Sequence, residues 1–196
     1  MLYQDLMKEI RDLGFEEDQV FDEYADIIRS SITRACRLIA TLVKAPVGSF
    51  ELDLNDEEVY SDTGKYDLTE LTKDNNGNIL FDSIDRIVVA TDTVDKTFLD
   101  YDLEQDKILV LDPSLKEELT VFYNQRIIPI TASTQDDFEV QVVYPCEPLV
   151  ALLASHYVWL DDDERKAILY WNEFDQLRQE IEAKAFKVKA RVIGGF

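Results

Sequence analysis

SHYVWLDDDERKAILYW, residues 155–171, holds the only histidine of the chain, His156, and four consecutive acids, Asp161, Asp162, Asp163 and Glu164. Such a stretch is either a metal or acid–base site or the corner between two helices. The spacing favours the corner. His156 follows Leu152 by four residues and Leu153 by three, on the helical face that carries Leu149 and Leu160, where a histidine packs with its ring nitrogens satisfied locally. Asp161 stands three residues before Glu164, the spacing of an N-terminal capping box, and further acids in a first turn are favoured by the helix dipole. Asp161 and Glu164 are therefore expected to cap the second helix. No second histidine is present to form a His-x-x-x-His metal pair.

Outward from this corner the pattern stays helical. Leu149, Leu152, Leu153, His156, Tyr157 and Leu160 predict one helix after Pro148; Ala167, Tyr170, Trp171, Phe174, Leu177 and Ile181 predict a second, ending near Lys184. At the other end, Leu2, Leu6, Ile10 and Leu13 predict a short amphipathic helix stopped by Gly14. A longer one follows, with the stripe Val20, Tyr24, Ile27, Ile28, Ile32, Ala35, Leu38, Ile39 and Leu42, ended by Pro46. Its Arg29, Arg34 and Arg37 lie in an otherwise acidic half and are candidates for contacting an acidic partner.

Between these helical parts the period falls to two. Candidate strands are SFELDL (49–54), KYDLTEL (65–71), DRIVVATD (85–92), TFLDYDLE (97–104), KILVLD (107–112), EELTVFYNQR (117–126) and FEVQVVYP (138–145), separated by turn residues such as Asp62-Thr63-Gly64 and Asp112-Pro113-Ser114. Asn76-Gly77 fits a type I′ hairpin turn. After Lys184 the alternation of Phe186, Val188, Ala190 and Val192 with Lys187, Lys189 and Arg191 is strand-like and free of acid. A basic, β-prone arm on an acidic body suits pairing with another protein's sheet edge or acidic surface. Lys184, Phe186, Lys187, Val188, Lys189, Arg191, Val192, Ile193 and Phe196 are its candidate partner-binding residues.

The expected fold is α+β: a helical bundle of N-terminal and C-terminal helices with an inserted, mainly antiparallel β-sheet and a C-terminal extended arm. The expected divisions are N-terminal helices at 1–46, a β region at 47–145, a helical hairpin at 146–184 that packs with 1–46 as one domain, and the arm at 185–196. A chain of 196 residues that is 46% hydrophobic supports a proper core.

Charge narrows the function classes. With 41 acidic and 20 basic residues the net charge is −21. Such a body repels nucleic acid phosphates and anionic membranes, although an acidic wall lets DNA slide past without sticking. The same charge also suits a DNA-mimicking inhibitor. Cys36 and Cys146 sit in apolar runs and read as buried, reduced thiols. DLNDEE (53–58) and KDNNGN (73–78) do not place a glycine and a terminal glutamate where a calcium loop needs them. No phosphate-binding glycine loop and no nucleophile elbow is present, and the amphipathic N-terminus resembles neither a signal nor a transit peptide. No catalytic residue, no metal ligand and no cofactor is expected, and the longest apolar runs are too short to span a bilayer.

The order of parts carries one resemblance. VFDEYADIIRSSITRACRLI (20–39), then the β excursion with VVATDTVDKTFLDYDLEQDKILVLD (88–112) and TVFYNQR (120–126), then YPCEPLVALLASHYVWLDDDERKAILYWNEFDQLRQEIEAK (144–184) resemble the head–tail adaptor (connector) proteins of tailed bacteriophages. The last block, about 40 residues, is the closest likeness; the β part is longer than in the smallest family members. The resemblance implies a non-enzymatic virion protein, made in the host cytoplasm and located in the neck between capsid and tail. It implies a homo-oligomeric ring, typically of twelve copies, below the portal protein. Such a ring extends the channel for DNA without binding it specifically and docks stopper or tail proteins, and its arm embraces the portal or a neighbouring subunit. A tail terminator or head-completion protein is the neighbouring alternative. An acidic DNA mimic and a carboxylate–metal enzyme are the alternatives from other classes.

Overall fold

The computed structural model describes residues 1–15, 18–56, 62–89 and 96–193. The fold is α+β, and the chain forms two units: Met1–Ala45 with Ile127–Phe196, and Pro46–Arg126.

The first unit is helical. Helix α1 (Tyr3–Gly14) buries Tyr3, Leu6 and Ile10, the three-and-four spacing of one amphipathic face. The longer helix expected next is two: α2 (Asp18–Glu23) and α3 (Ala25–Leu42), with Tyr24 between them donating its backbone N–H to the Phe21 carbonyl at 3.1 Å. Helix α3 buries Ile28, Ile32, Ala35, Cys36 and Ile39. Val20, Ile27 and Leu42 of the expected stripe are exposed, because the bend at Tyr24 and the buried face of α3 leave them outside.

Helix α5 (Glu147–Trp159) starts with Pro148 in its first turn, where the missing N–H costs nothing. The single stripe expected for it is wrong. Val150, Ala151, Ala154 and Val158 are buried along with Leu149 and Leu153, so α5 is apolar nearly all round and is packed by α1, α3 and α6 (Glu164–Ile193). Helix α6 contributes buried Ala167, Tyr170, Phe174 and Ile181 to the same core.

FEVQVVYP forms no strand beyond a single bridge between Leu2 and Glu139. Residues 127–145 belong to the helical unit and not to the β region. Tyr3 donates its N–H to the Phe138 carbonyl at 2.8 Å, Val140 donates to Met1 at 3.0 Å, and Ile127, Ile130 and Val140 enter the helical core. An extended segment lying on helices alternates its side chains just as a strand does, which explains the misreading.

The second unit contains two antiparallel sheets. In the first, β1 (Val47–Asp53), β7 (Glu118–Gln125), β3 (Phe81–Val89) and β4 (Lys96–Phe98) lie in the order β1-β7-β3-β4. In the second, β2 (Lys65–Asp67), β6 (Ile108–Val110) and β5 (Asp102–Glu104) lie in the order β2-β6-β5. Strand β7 is the centre: Leu119, Val121 and Tyr123 alternate into one core with Leu52, Phe81, Ile87 and Leu109.

Three local expectations change here. KYDLTEL is β2 followed by the short helix α4 (Leu68–Leu71), because Asp67 accepts the Thr69 N–H at 2.9 Å and caps a new turn. TFLDYDLE divides between β4 and β5, in different sheets. The Asn76-Gly77 turn is not type I′, since only Gly77 has positive φ; Asp74 accepts the N–H groups of Asn76 and Asn78 and shapes the loop instead. The turn with two central residues at positive φ is Gln105-Asp106, between β5 and β6.

Candidate functional site

The corner at residues 159–166 joins four segments of the helical unit. Asp163, not Asp161, is the N-cap of α6: its Oδ1 accepts the N–H groups of Arg165 and Lys166, both at 3.1 Å. Lys166 holds the third helical position, so no reciprocal Glu exists and the expected capping box is absent. Glu164 is the first residue of α6, where its charge suits the helix dipole, and Asp161 lies exposed in the preceding turn. The chain needs the turn at 160–162 to redirect α5 into α6, which moves the cap two residues beyond the sequence expectation.

Each remaining polar group of the corner has a structural partner. The Tyr24 hydroxyl donates to Asp162, and that carboxylate pushes the phenol above its usual titration range. Lys166 Nζ donates to the Gly14 carbonyl at 3.1 Å and lies 4.0 Å from the Trp159 ring centroid. The Tyr170 hydroxyl donates to the Leu13 carbonyl. The last carbonyls of α1 are thus received by the first two turns of α6. Phe15, Phe21, Tyr24 and Trp159 fill the space between, with ring centroids 5.0 to 5.7 Å apart.

His156 bridges α5 and α6. Its Nδ1 donates to the Ala167 carbonyl at 2.9 Å, which fixes a hydrogen on that nitrogen, and its ring lies 5.2 Å from both Tyr157 and Trp171. It approaches none of Asp161, Asp162 or Asp163 through a hydrogen bond. Among the described residues no group of three or more His, Cys, Asp or Glu side chains could hold a metal ion, and no helix is long and apolar enough to cross a membrane. Cys36 and Cys146 are free and buried, and burial pushes the Cys36 thiol up to about 12, leaving it protonated and inert as a nucleophile.

The expected extended arm is helical: α6 continues through Ile193. Ala183, Ala185 and Ala190 among lysines and arginine favour helix propagation, and the apolar–basic alternation misled. Lys184 is exposed on α6. Phe186, Lys187, Val188, Lys189, Arg191, Val192 and Ile193 lie on the helix backbone, with side chains outside the description, and Phe196 lies outside the described residues.

The cationic side of α3 is clearer than its sequence signal suggested. Residues 27–50 contain Arg29, Arg34, Arg37 and Lys44 and no acid. Arg29 is tied to Asp26 at 2.8 Å, whereas Arg34 lies 4.0 Å over the Tyr157 ring and Arg37 has no side-chain partner among the described residues. Arg34 and Arg37 share the exposed ridge of α3 with Ile27, Ser30 and Thr41. An open cleft of about 440 Å³ beside α1 also gathers Lys8, Arg11 and Arg29, but Asp136 lines the same wall and Arg11 reaches Asp12 at 3.6 Å. Its charges are largely answered within the chain.

No protein-family model and no curated protein matches this chain.

Proposed function

We propose that this chain is a structural protein of a tailed-bacteriophage neck, a head–tail adaptor. In this reading, copies of the chain form a ring below the portal, extend the DNA channel and dock the stopper or tail. It acts by assembly and not by catalysis, needs no cofactor, and resides in the virion after synthesis in the host cytoplasm. The observation that supports it most is the discontinuous helical unit: residues Met1–Ala45 and Ile127–Phe196 form one unit, interrupted in sequence by the sheet unit Pro46–Arg126. That is the order of parts on which the adaptor resemblance rests. A net charge of −21 is consistent with a channel wall from which DNA is repelled and along which it stays mobile.

The basic end of α6 is the portal-facing element in this reading, now as a helix and not as a strand. Deletion of residues 185–196 tests it. The full chain is expected to co-sediment with purified portal rings, and the truncated chain to lose that binding while keeping its melting temperature. Equal binding by both would remove the C-terminal segment from the contact. The same acidity also favours a DNA-mimicking inhibitor, whose mark would be competition with DNA for a nuclease by the monomeric chain.

A further inference from the structure

We infer that the helical unit associates head to tail with a second copy of this chain, the α3 ridge of one copy seating on the outward face of α6 of the next. Helices α3 and α6 each pack on α5 and little on one another, so their outward faces lie on two flanks of the same central helix. The two faces differ in charge, and each exposes apolar side chains. The α3 flank presents Arg34 and Arg37 with Ile27, 47% exposed. The α6 flank presents Ile168 and Leu169, each 51% exposed, bordered by Glu164 on one side and Glu173 on the other. Those glutamates make no ion pair among the described residues.

Charge selects the occupant. Two bodies of net charge −21 repel one another unless cations stand at the point of contact. Residues 27–50 are free of acid, and the exposed Arg34, over the Tyr157 ring, and Arg37 have no carboxylate partner within the helical unit. Ile27 on one flank and Ile168 with Leu169 on the other supply apolar area, and the arginine–glutamate border supplies orientation. Because the two patches are different and lie on different flanks, the contact is heterologous and propagates around a ring or along a filament. This inference rests on the assembly reading above and assigns the surfaces through which it occurs.

Two blocked variants test it. R34E/R37E removes the α3 flank, and I168D/L169D removes the α6 flank. Each alone is expected to be a monomer by light scattering, with an unchanged circular dichroism spectrum. Mixed together they are expected to form a heterodimer and nothing larger, since only one intact pair of flanks remains. R37E alone, whose side chain has no partner to lose, is expected to weaken assembly at least tenfold. Variants that assemble like the unaltered chain would overturn the interface while leaving the adaptor reading intact. An unaltered chain that stays monomeric both alone and with portal rings would overturn both.

Discussion

Lys166 near the start of α6 donates its Nζ to the carbonyl of Gly14, the last residue of α1, at 3.1 Å. The same ammonium lies over Trp159, so one side chain ties α1, α5 and α6 together. Lys166→Ala is expected to cost about 1–2 kcal/mol in urea unfolding, through loss of a charge-assisted hydrogen bond and a cation–π contact. Gly14→Ala should also destabilise, because an added Cβ would lie 2.6 Å from Trp159 Nε1. Alanine is the better helix former by about 1 kcal/mol, so a stabilising Gly14→Ala would refute this packing.

The cap assignment separates two neighbouring aspartates. Asp163→Ala removes the acceptor for two backbone N–H groups and is expected to cost about 1 kcal/mol, whereas Asp161→Ala should lie within about 0.5 kcal/mol of the unaltered chain. Thermal unfolding of the two variants side by side decides it, and the reverse order would restore the capping box read from the sequence.

In the sheet unit, two glycines at positive φ should respond very differently. Gly64 has φ +62°, and a Cβ there would meet the Leu111 carbonyl oxygen at 2.1 Å, a backbone atom held in place by the Leu111 N–H bond to Gly64 O at 2.9 Å. Gly64→Ala is expected to cost more than about 3 kcal/mol. Gly77 has φ +80° but open space around it, so Gly77→Ala should cost only about 1 kcal/mol. Equal losses in denaturant unfolding would contradict the register of β2 and β6.

Burial pushes the Glu9 carboxyl above its usual value, in a cleft of α1 that also holds Asp5 and Asp12. The folded state therefore holds that proton more tightly than the unfolded state. Ionised Glu9 weakens folding; the loss is complete above the folded pKa and disappears as pH falls below the unfolded value of about 4.3. Glu9→Gln is expected to raise the melting temperature at pH 7 by about 1 °C, a small shift because the group is only partly buried and solvent screens its charge. At pH 3.5 the two proteins should melt alike. A gain that persists at pH 3.5 would place its origin outside the carboxylate charge.

Much of this fold was legible because one-sided burial writes a period into the sequence. Leu6 and Ile10, Ile28 and Ile32, or Leu119, Val121 and Tyr123 announce their helices and strand directly. Helix α4 was also legible in principle, since Asp67 precedes Glu70 by three residues, a capping pattern hidden by the alternation around it. Long-range partners left no such trace. Nothing in the sequence ties Tyr24 to Asp162, Tyr170 to Leu13 or Thr33 to the Ile130 N–H, because those contacts depend on how helices meet. The cap at Asp163 was lost among four candidate acids for the same reason: local pattern cannot say where the chain finishes turning.

The arginines of α3 stood out as an acid-free run, but only the structure separates Arg29, answered by Asp26, from Arg34 and Arg37 on the outward ridge. The His156 and acidic-run pairing dissolves similarly. Helix α5 sends His156 to the Ala167 carbonyl and the turn after it sends Asp162 to Tyr24, so the stretch that looked most like chemistry is the brace of the helical unit.

Native mass tests the adaptor reading most directly. Light scattering and negative-stain imaging of the 22.7 kDa chain, alone and with purified portal protein, should give closed rings of many copies that seat on the portal. A species that stays monomeric at every concentration, with and without portal, would contradict the account, and competition of that monomer with DNA for a nuclease would replace it with a DNA mimic.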